Sequence, residues 1–151
     1  MNTRKSILPI SLMAIISILF MSCGDDGDTT KPVINLIEPK EGAILLIGDE
    51  RGIHFDMELS DNEMLASYRV EIHSNFDGHS HNKRNAITPE KTEDFRFDKL
   101  WDVPGLKNIH IHHHEIKIPS SATPGNYHLV VYCTDAAGNQ ANIARNIVLA
   151  K

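Results

Sequence analysis

From Pro32 onward, apolar and polar residues alternate with a period of two over most of the chain. In Ile53-His54-Phe55-Asp56-Met57-Glu58-Leu59 the apolar residues share one parity, and Tyr68, Val70 and Ile72 repeat the pattern with Arg69, Glu71 and His73 opposite them. Tyr127, Leu129, Val131 and Cys133 do the same, leaving His128, Val130 and Tyr132 on the other side. Such alternation predicts half-buried strands. Shorter apolar runs at Val33–Ile37, Ile44–Ile47, Ile116–Ile118 and Ile147–Leu149 predict more. Turn residues separate them, among them Glu38-Pro39-Lys40-Glu41-Gly42, Pro124-Gly125-Asn126 and the hairpin loop Asp135-Ala136-Ala137-Gly138-Asn139. No segment sustains a helical period. The expected fold is an all-β, antiparallel β-sandwich.

One stretch breaks the rhythm. Residues 74–108 are long, polar and mixed in charge, and carry Phe95, Phe97, Leu100 and Trp101. Structureless loops of this length are uncommon in small domains. The expectation is an insertion after the third long strand, pinned to the sandwich by its aromatics or offering Trp101 as a binding platform.

The start of the chain follows different rules. Arg4 and Lys5 precede a nearly unbroken apolar run, Ile7–Met21. Roughly 15 apolar residues fall short of a membrane span, which needs about 20, but suit a signal peptide. Phe20-Met21-Ser22-Cys23 resembles a bacterial lipobox, with a small residue before the cysteine and Phe20 where a smaller aliphatic is usual. The resemblance implies cleavage before Cys23 and lipidation of that residue. The acidic stretch Gly24-Asp25-Asp26-Gly27-Asp28 resembles the surface-export signal of Bacteroidetes-type lipoproteins. The expected layout is signal peptide 1–22, acidic tether 23–31 and one β-sandwich domain 32–151. The polar composition of the tether predicts that it is flexible. Lipid on Cys23 would anchor the protein to the outer membrane, at the cell surface or on the periplasmic face. It would also leave Cys133 without a disulfide partner, as a small core residue. The net charge of −5 becomes more negative once Arg4 and Lys5 are removed, which argues against nucleic acid as a partner.

Gly125-Asn126-Tyr127-His128-Leu129-Val130-Val131 followed by Thr134-Asp135-Ala136-Ala137-Gly138-Asn139 resembles the F–G hairpin of bacterial Ig-like domains. Together with Glu71-Ile72-His73, Phe76-Asp77-Gly78-His79-Ser80-His81 and the histidine run after Ile109, it resembles domain-of-unknown-function family 4625, Ig-like lipoproteins of Bacteroidetes type. The resemblance covers about residues 31–151. It implies an Ig-like sandwich and an envelope location, and no activity.

The chemistry worth noting is histidine. Seven of the nine histidines fall in two clusters: His73, His79 and His81, then His110, His112, His113 and His114. Imidazole is the commonest metal ligand. Residues i and i+2 of a strand face one side about 6.6 Å apart, so two such imidazoles can converge on one ion with Zn–N bonds of about 2.0–2.1 Å. His79 and His81 have this spacing, as do His110, His112 and His114, whereas His113 would point the opposite way. The isoleucine phase also changes between Ile111 and Ile116, which predicts a bulge or bend around residues 112–115.

In an Ig sandwich the strand ending at His73 runs antiparallel to the one starting at Tyr127, so His73 and His128 become outward-facing neighbours. The expected site gathers His73, His79, His81, His112 and His114 at one end of the sandwich, with His110 and His128 as less favoured ligands. Asp77 and Glu115 would orient the rings as acceptors. His54, alone in its strand, reads as an ordinary solvated residue.

Nitrogen donors suit zinc or copper, with nickel also open. The leading expectation is an envelope lipoprotein that binds a transition metal for uptake, storage or sensing, with an envelope transport protein as its partner. The alternative is a metal-independent module that grips a glycan or an envelope protein. A pH sensor built on the histidines is a third reading. No HExxH or CxxC is present, and only Glu115 adjoins the second cluster as a potential base, so an enzyme is not expected.

Overall fold

A computed structural model of the chain describes residues 27–75, 91–103 and 105–151. The expected signal peptide, Cys23, Asp77, His79 and His81 lie outside the described residues.

Among the described residues, eight strands form two facing sheets. In chain order they are β1 (Val33–Glu38), β2 (Ala43–Leu46), β3 (Phe55–Ser60), β4 (Leu65–Ser74), β5 (Phe97–Asp102), β6 (Asn108–His113), β7 (Gly125–Asp135) and β8 (Gln140–Ala150). One sheet has the order β1-β3-β6 and the other β2-β8-β7-β4-β5. Pairing is antiparallel except between β2 and β8. The architecture is the expected all-β sandwich.

Period-two alternation translates directly into the core. Phe55, Met57 and Leu59 from β3, Val70 and Ile72 from β4, and Tyr127, Leu129, Val131 and Cys133 from β7 are all buried in one apolar cluster. Burial of this apolar surface is the main force holding the sheets together. Tyr127 also carries a polar tip into that core. Its hydroxyl donates to the Thr123 carbonyl at 2.8 Å, four residues upstream at the start of β7, the bond that defines a tyrosine corner in immunoglobulin-type sandwiches.

Three sequence expectations change. The 74–108 stretch is not all insertion: β4 runs to Ser74, and Phe97–Asp102 forms an edge strand paired with β4. Phe95 and Val103 flank β5 and are buried. The alternation was invisible here because β5 exposes three successive residues, Asp98, Lys99 and Leu100. Next, Ile116–Ile118 is no strand. The chain leaves β6 after His113, and this exit is what switches the phase from half-buried Ile109 and Ile111 to fully enclosed Ile116 and Ile118. Single hydrogen bonds pin that segment, from the Ile53 amide to the Ile116 carbonyl at 2.8 Å and from the Gly48 amide to the Ile118 carbonyl at 2.9 Å.

The tether, finally, is held from Asp28 on. Asn62 donates to the Asp28 carboxylate at 3.0 Å and Asn139 to its carbonyl at 2.8 Å.

Candidate metal centre

The sharp feature of the outer face of the three-stranded sheet is a group of imidazoles. His112 belongs to β6 and its Cα partner across the ladder is Asp56 of β3. Since i and i+2 share a face, His110 and His112 stand beside Asp56, and His54 precedes that strand in the same phase. His114 follows β6 directly. Ring centroids are 5.0 Å apart for His54 and His112, 5.3 Å for His54 and His114, and 5.5 Å for His112 and His114. Each of the three offers a ring nitrogen within 4.8 Å of the others. Nitrogens on a tetrahedral zinc would stand about 3.3 Å apart, given Zn–N bonds of about 2.0–2.1 Å. Side-chain rotations of roughly 1 Å close that difference, and all three rings are exposed enough to make them.

A glycine makes the approach possible. Gly52 has φ +80°, and a Cβ there would lie 2.1 Å from the His114 carbonyl oxygen. Only glycine lets the segment entering β3 pass this close to the backbone of His114. The following residue then locks the contact through the bond from Ile53 to Ile116.

Asp56 organises the rings. Its Oδ1 lies 2.8 Å from Nε2 of His110 and its Oδ2 3.4 Å from Nδ1 of His112. An ionised carboxylate only accepts, so these imidazole nitrogens carry the protons. The hydrogen bond from His110 is the main cause that holds the Asp56 carboxyl below its ordinary range. His112 is thereby left with the lone pair on Nε2, the form a metal ligand needs. His54 sits 4.0 Å from the same carboxylate, beyond hydrogen-bond distance.

Beside the trio lies a cleft of about 330 Å³, lined by His54 and His114 together with Ile44, Leu46, Asp49 and Arg51. Ile44 and Leu46 are 68% and 52% exposed, so the rim is apolar. The Arg51 guanidinium is turned to Asp49 by paired hydrogen bonds of 3.1 and 2.9 Å, which keeps its charge engaged away from the imidazoles.

Other predicted residues fall elsewhere. His73 and His128 are neighbours as expected: they are Cα partners across β4 and β7, with ring centroids 5.5 Å apart. The alternation puts them on the outer face of the five-stranded sheet, because Ile72 and Leu129 fill the inner face. His112 and His114 belong to the outside of the other sheet. Stacked sheets are about 10 Å apart, so one ion cannot join the two pairs, and the expected single gathering at one end is corrected to two separate groups. His128 Nε2 is also bonded to the Asn75 amide at 2.9 Å.

His113 points inward, as its parity requires. It stacks on Phe55 at 4.9 Å and on Trp101 at 5.2 Å. Burial lowers its pKa below the ordinary histidine value. Glu115 does not orient a ligand. Lys99 and the Trp101 indole Nε1, the latter at 3.2 Å, both donate to its Oε2, which ties β5 to the end of β6. Trp101 in turn is stacked on Tyr68 at 4.8 Å and covered by Lys99. Tyr68, His113 and Lys99 crowd its ring within the protein, which leaves little platform for a ligand.

His54 is thus solvated, as expected, but not solitary, and Asp56 was missed. Both sit on the polar parity of a recognised strand. What the sequence lacked was the β3–β6 register that sets Asp56 opposite His112.

A family model described as "domain of unknown function (DUF4625)" matches residues 21–150. No curated protein matches the chain.

Proposed function

We propose that this chain, which belongs to the DUF4625 family, binds a transition metal ion through His54, His112 and His114 as a lipid-anchored protein of the cell envelope. The observation that carries this reading is the mutual approach of three imidazole nitrogens to within 4.8 Å. The β3–β6 register and the close pass at Gly52 bring the three rings together, and each remains exposed and able to turn toward an ion. An all-nitrogen donor set favours zinc, copper or nickel over calcium or magnesium. Three protein ligands leave a fourth position for water or for a group contributed by a partner.

Binding is favoured over catalysis. Asp56, the carboxylate beside the trio, is bonded to His110 and His112, and Glu115 is engaged by Lys99 and Trp101. A zinc hydrolase needs a free base near its water. The envelope location rests on the lipobox-like Phe20-Met21-Ser22-Cys23. No helix among the described residues is long and apolar enough to cross a membrane.

The test is calorimetric titration of untagged protein with zinc and copper, with elemental analysis of the product. One ion per chain is expected, with a Kd below about 10 micromolar, and the triple variant H54A/H112A/H114A should lose it. Weaker binding, or binding that survives the triple substitution, overturns the proposal.

A further inference from the structure

At the other end of β3 stands a second cluster of different chemistry. Asp28 approaches from the N-terminal segment, Asp61 follows β3, and Asp135 closes β7. Each offers a carboxylate oxygen within 4.8 Å of the others. Seven residues of extended chain separate His54 from Asp61, which places this cluster roughly 20 Å from the imidazoles.

Three features distinguish it from a chance acidic patch. Asp135 is only 2% exposed and is the one buried charged residue among the described residues. Oδ2 of Asp28 and Oδ1 of Asp61 are both shielded from solvent and have no hydrogen-bond partner. A shielded carboxylate oxygen without a partner is costly, and here two, on half-buried Asp28 and Asp61, stand beside the buried carboxylate of Asp135.

The remaining oxygens are held in place. Oδ1 of Asp28 accepts from the Thr30 amide at 2.9 Å and from the Asn62 side chain at 3.0 Å. Oδ2 of Asp61 accepts from the amides of Glu63 and Met64, both at 2.9 Å. Asp135 accepts from the Asn139 amide at 2.7 Å and from its side chain at 2.8 Å. These donors are neutral, so they orient the three carboxylates without cancelling their charge. Each aspartate retains lone pairs beyond those used.

We infer that Asp28, Asp61 and Asp135 bind a calcium ion. Hard oxygen donors from three separate segments suit calcium, which accepts six to eight oxygens at about 2.3–2.6 Å in adaptable geometry. Magnesium demands shorter bonds and a near-ideal octahedron. The ion would fasten the N-terminal segment to the β3–β4 loop and to the β7–β8 hairpin. The side chain of Asn139 already joins that hairpin to the Asp28 carbonyl, so calcium would complete a clamp that is half built.

The experiment is thermal unfolding of the full chain in detergent, in chelator and in calcium up to about 5 mM, the range that suits extracellular calcium modules. At 5 mM, about 5–50 times the Kd of such modules, calcium should raise Tm by about 3 °C or more, with a much smaller rise in magnesium. D28N/D61N should lose the rise. In chelator that variant should melt at or above the wild type, because neutral amides relieve the repulsion. The single variant D28N, which alters no strand, carries the same test if the double variant does not fold. No calcium-dependent shift in the wild type, a shift that persists in D28N, or an equal shift in magnesium overturns the assignment. H54A/H112A/H114A should keep the calcium response, which separates this site from the imidazole centre.

Discussion

Gly52 lies against the backbone of His114 so closely that a methyl group cannot stand between them: a Cβ would meet the carbonyl oxygen at 2.1 Å and the Ile116 carbonyl at 3.0 Å. The contact is backbone against backbone, so no side-chain rotation relieves it. Gly52→Ala should therefore cost roughly 1–3 kcal/mol of stability. It should also move His54 away from His114 and weaken zinc binding at least tenfold. Chemical denaturation and calorimetry on the same variant would check both; wild-type values for either would show that the approach is not required.

Ligand and core histidines in one run should separate cleanly. His112→Ala and His114→Ala should each weaken zinc binding tenfold or more with a change in stability within about 0.5 kcal/mol, as for exposed residues. His113→Ala removes a ring stacked on Phe55 and Trp101 and should cost about 2–3 kcal/mol. The double variant H73A/H128A, on the opposite sheet, should leave zinc affinity unchanged.

Asp56 touches the centre without being one of its three nitrogen donors. Asp56→Ala removes the acceptor that orients His112, and loss of such a partner typically costs 10–100-fold in metal affinity. The titration should show that loss with the stoichiometry still at one ion. An unchanged affinity would mean that His112 needs no help with its tautomer.

Cys133 supplies a test of the core in alkaline solution. Burial pushes its thiol up to about 11, aided by Asp61 and Asp135. The folded pKa is thus above the unfolded value, so its contribution to stability is full below the unfolded pKa and is lost as pH rises through about 11. At pH 8 the thiol should resist a disulfide reagent in native protein and react promptly in denaturant. Fast native labelling would show that the β7 interior opens readily.

Tyr127→Phe keeps the ring and deletes the bond to the Thr123 carbonyl. The loss should be about 1 kcal/mol, read as a lower denaturant midpoint with an unchanged slope. A loss near zero would leave the corner as ornament to the packing.

The strands were legible wherever one face is apolar and the other polar. Ile53–Leu59 and Tyr127–Cys133 declared themselves through parity, and the same parity turned His113 inward and set His73 beside His128. The isoleucine phase change located the end of β6. Legibility failed where partners matter more than pattern. Phe97–Asp102 is a strand because β4 offers it hydrogen bonds, although its own alternation is poor. His54 belongs with His112 and His114 because β3 and β6 pair in one register and Gly52 permits a close pass, and neither fact is written in local spacing. Asp28, Asp61 and Asp135 are further still from a sequence signal, since only the closed sandwich brings three distant segments together.

Among the described residues β6 is an edge strand, paired with β3 on one side alone. A metal held by His54, His112 and His114 bridges the two strands at the very end where β6 stops. Bound metal would then oppose fraying: opening the last residues of β6 carries His112 and His114 away from His54, and local openings of this kind need far less free energy than global unfolding. Hydrogen-exchange protection of the His112 and His113 amides should then rise with metal occupancy. Mutations that suppress the fraying would favour binding without touching a ligand, and a partner that added a strand along this open edge would do the same.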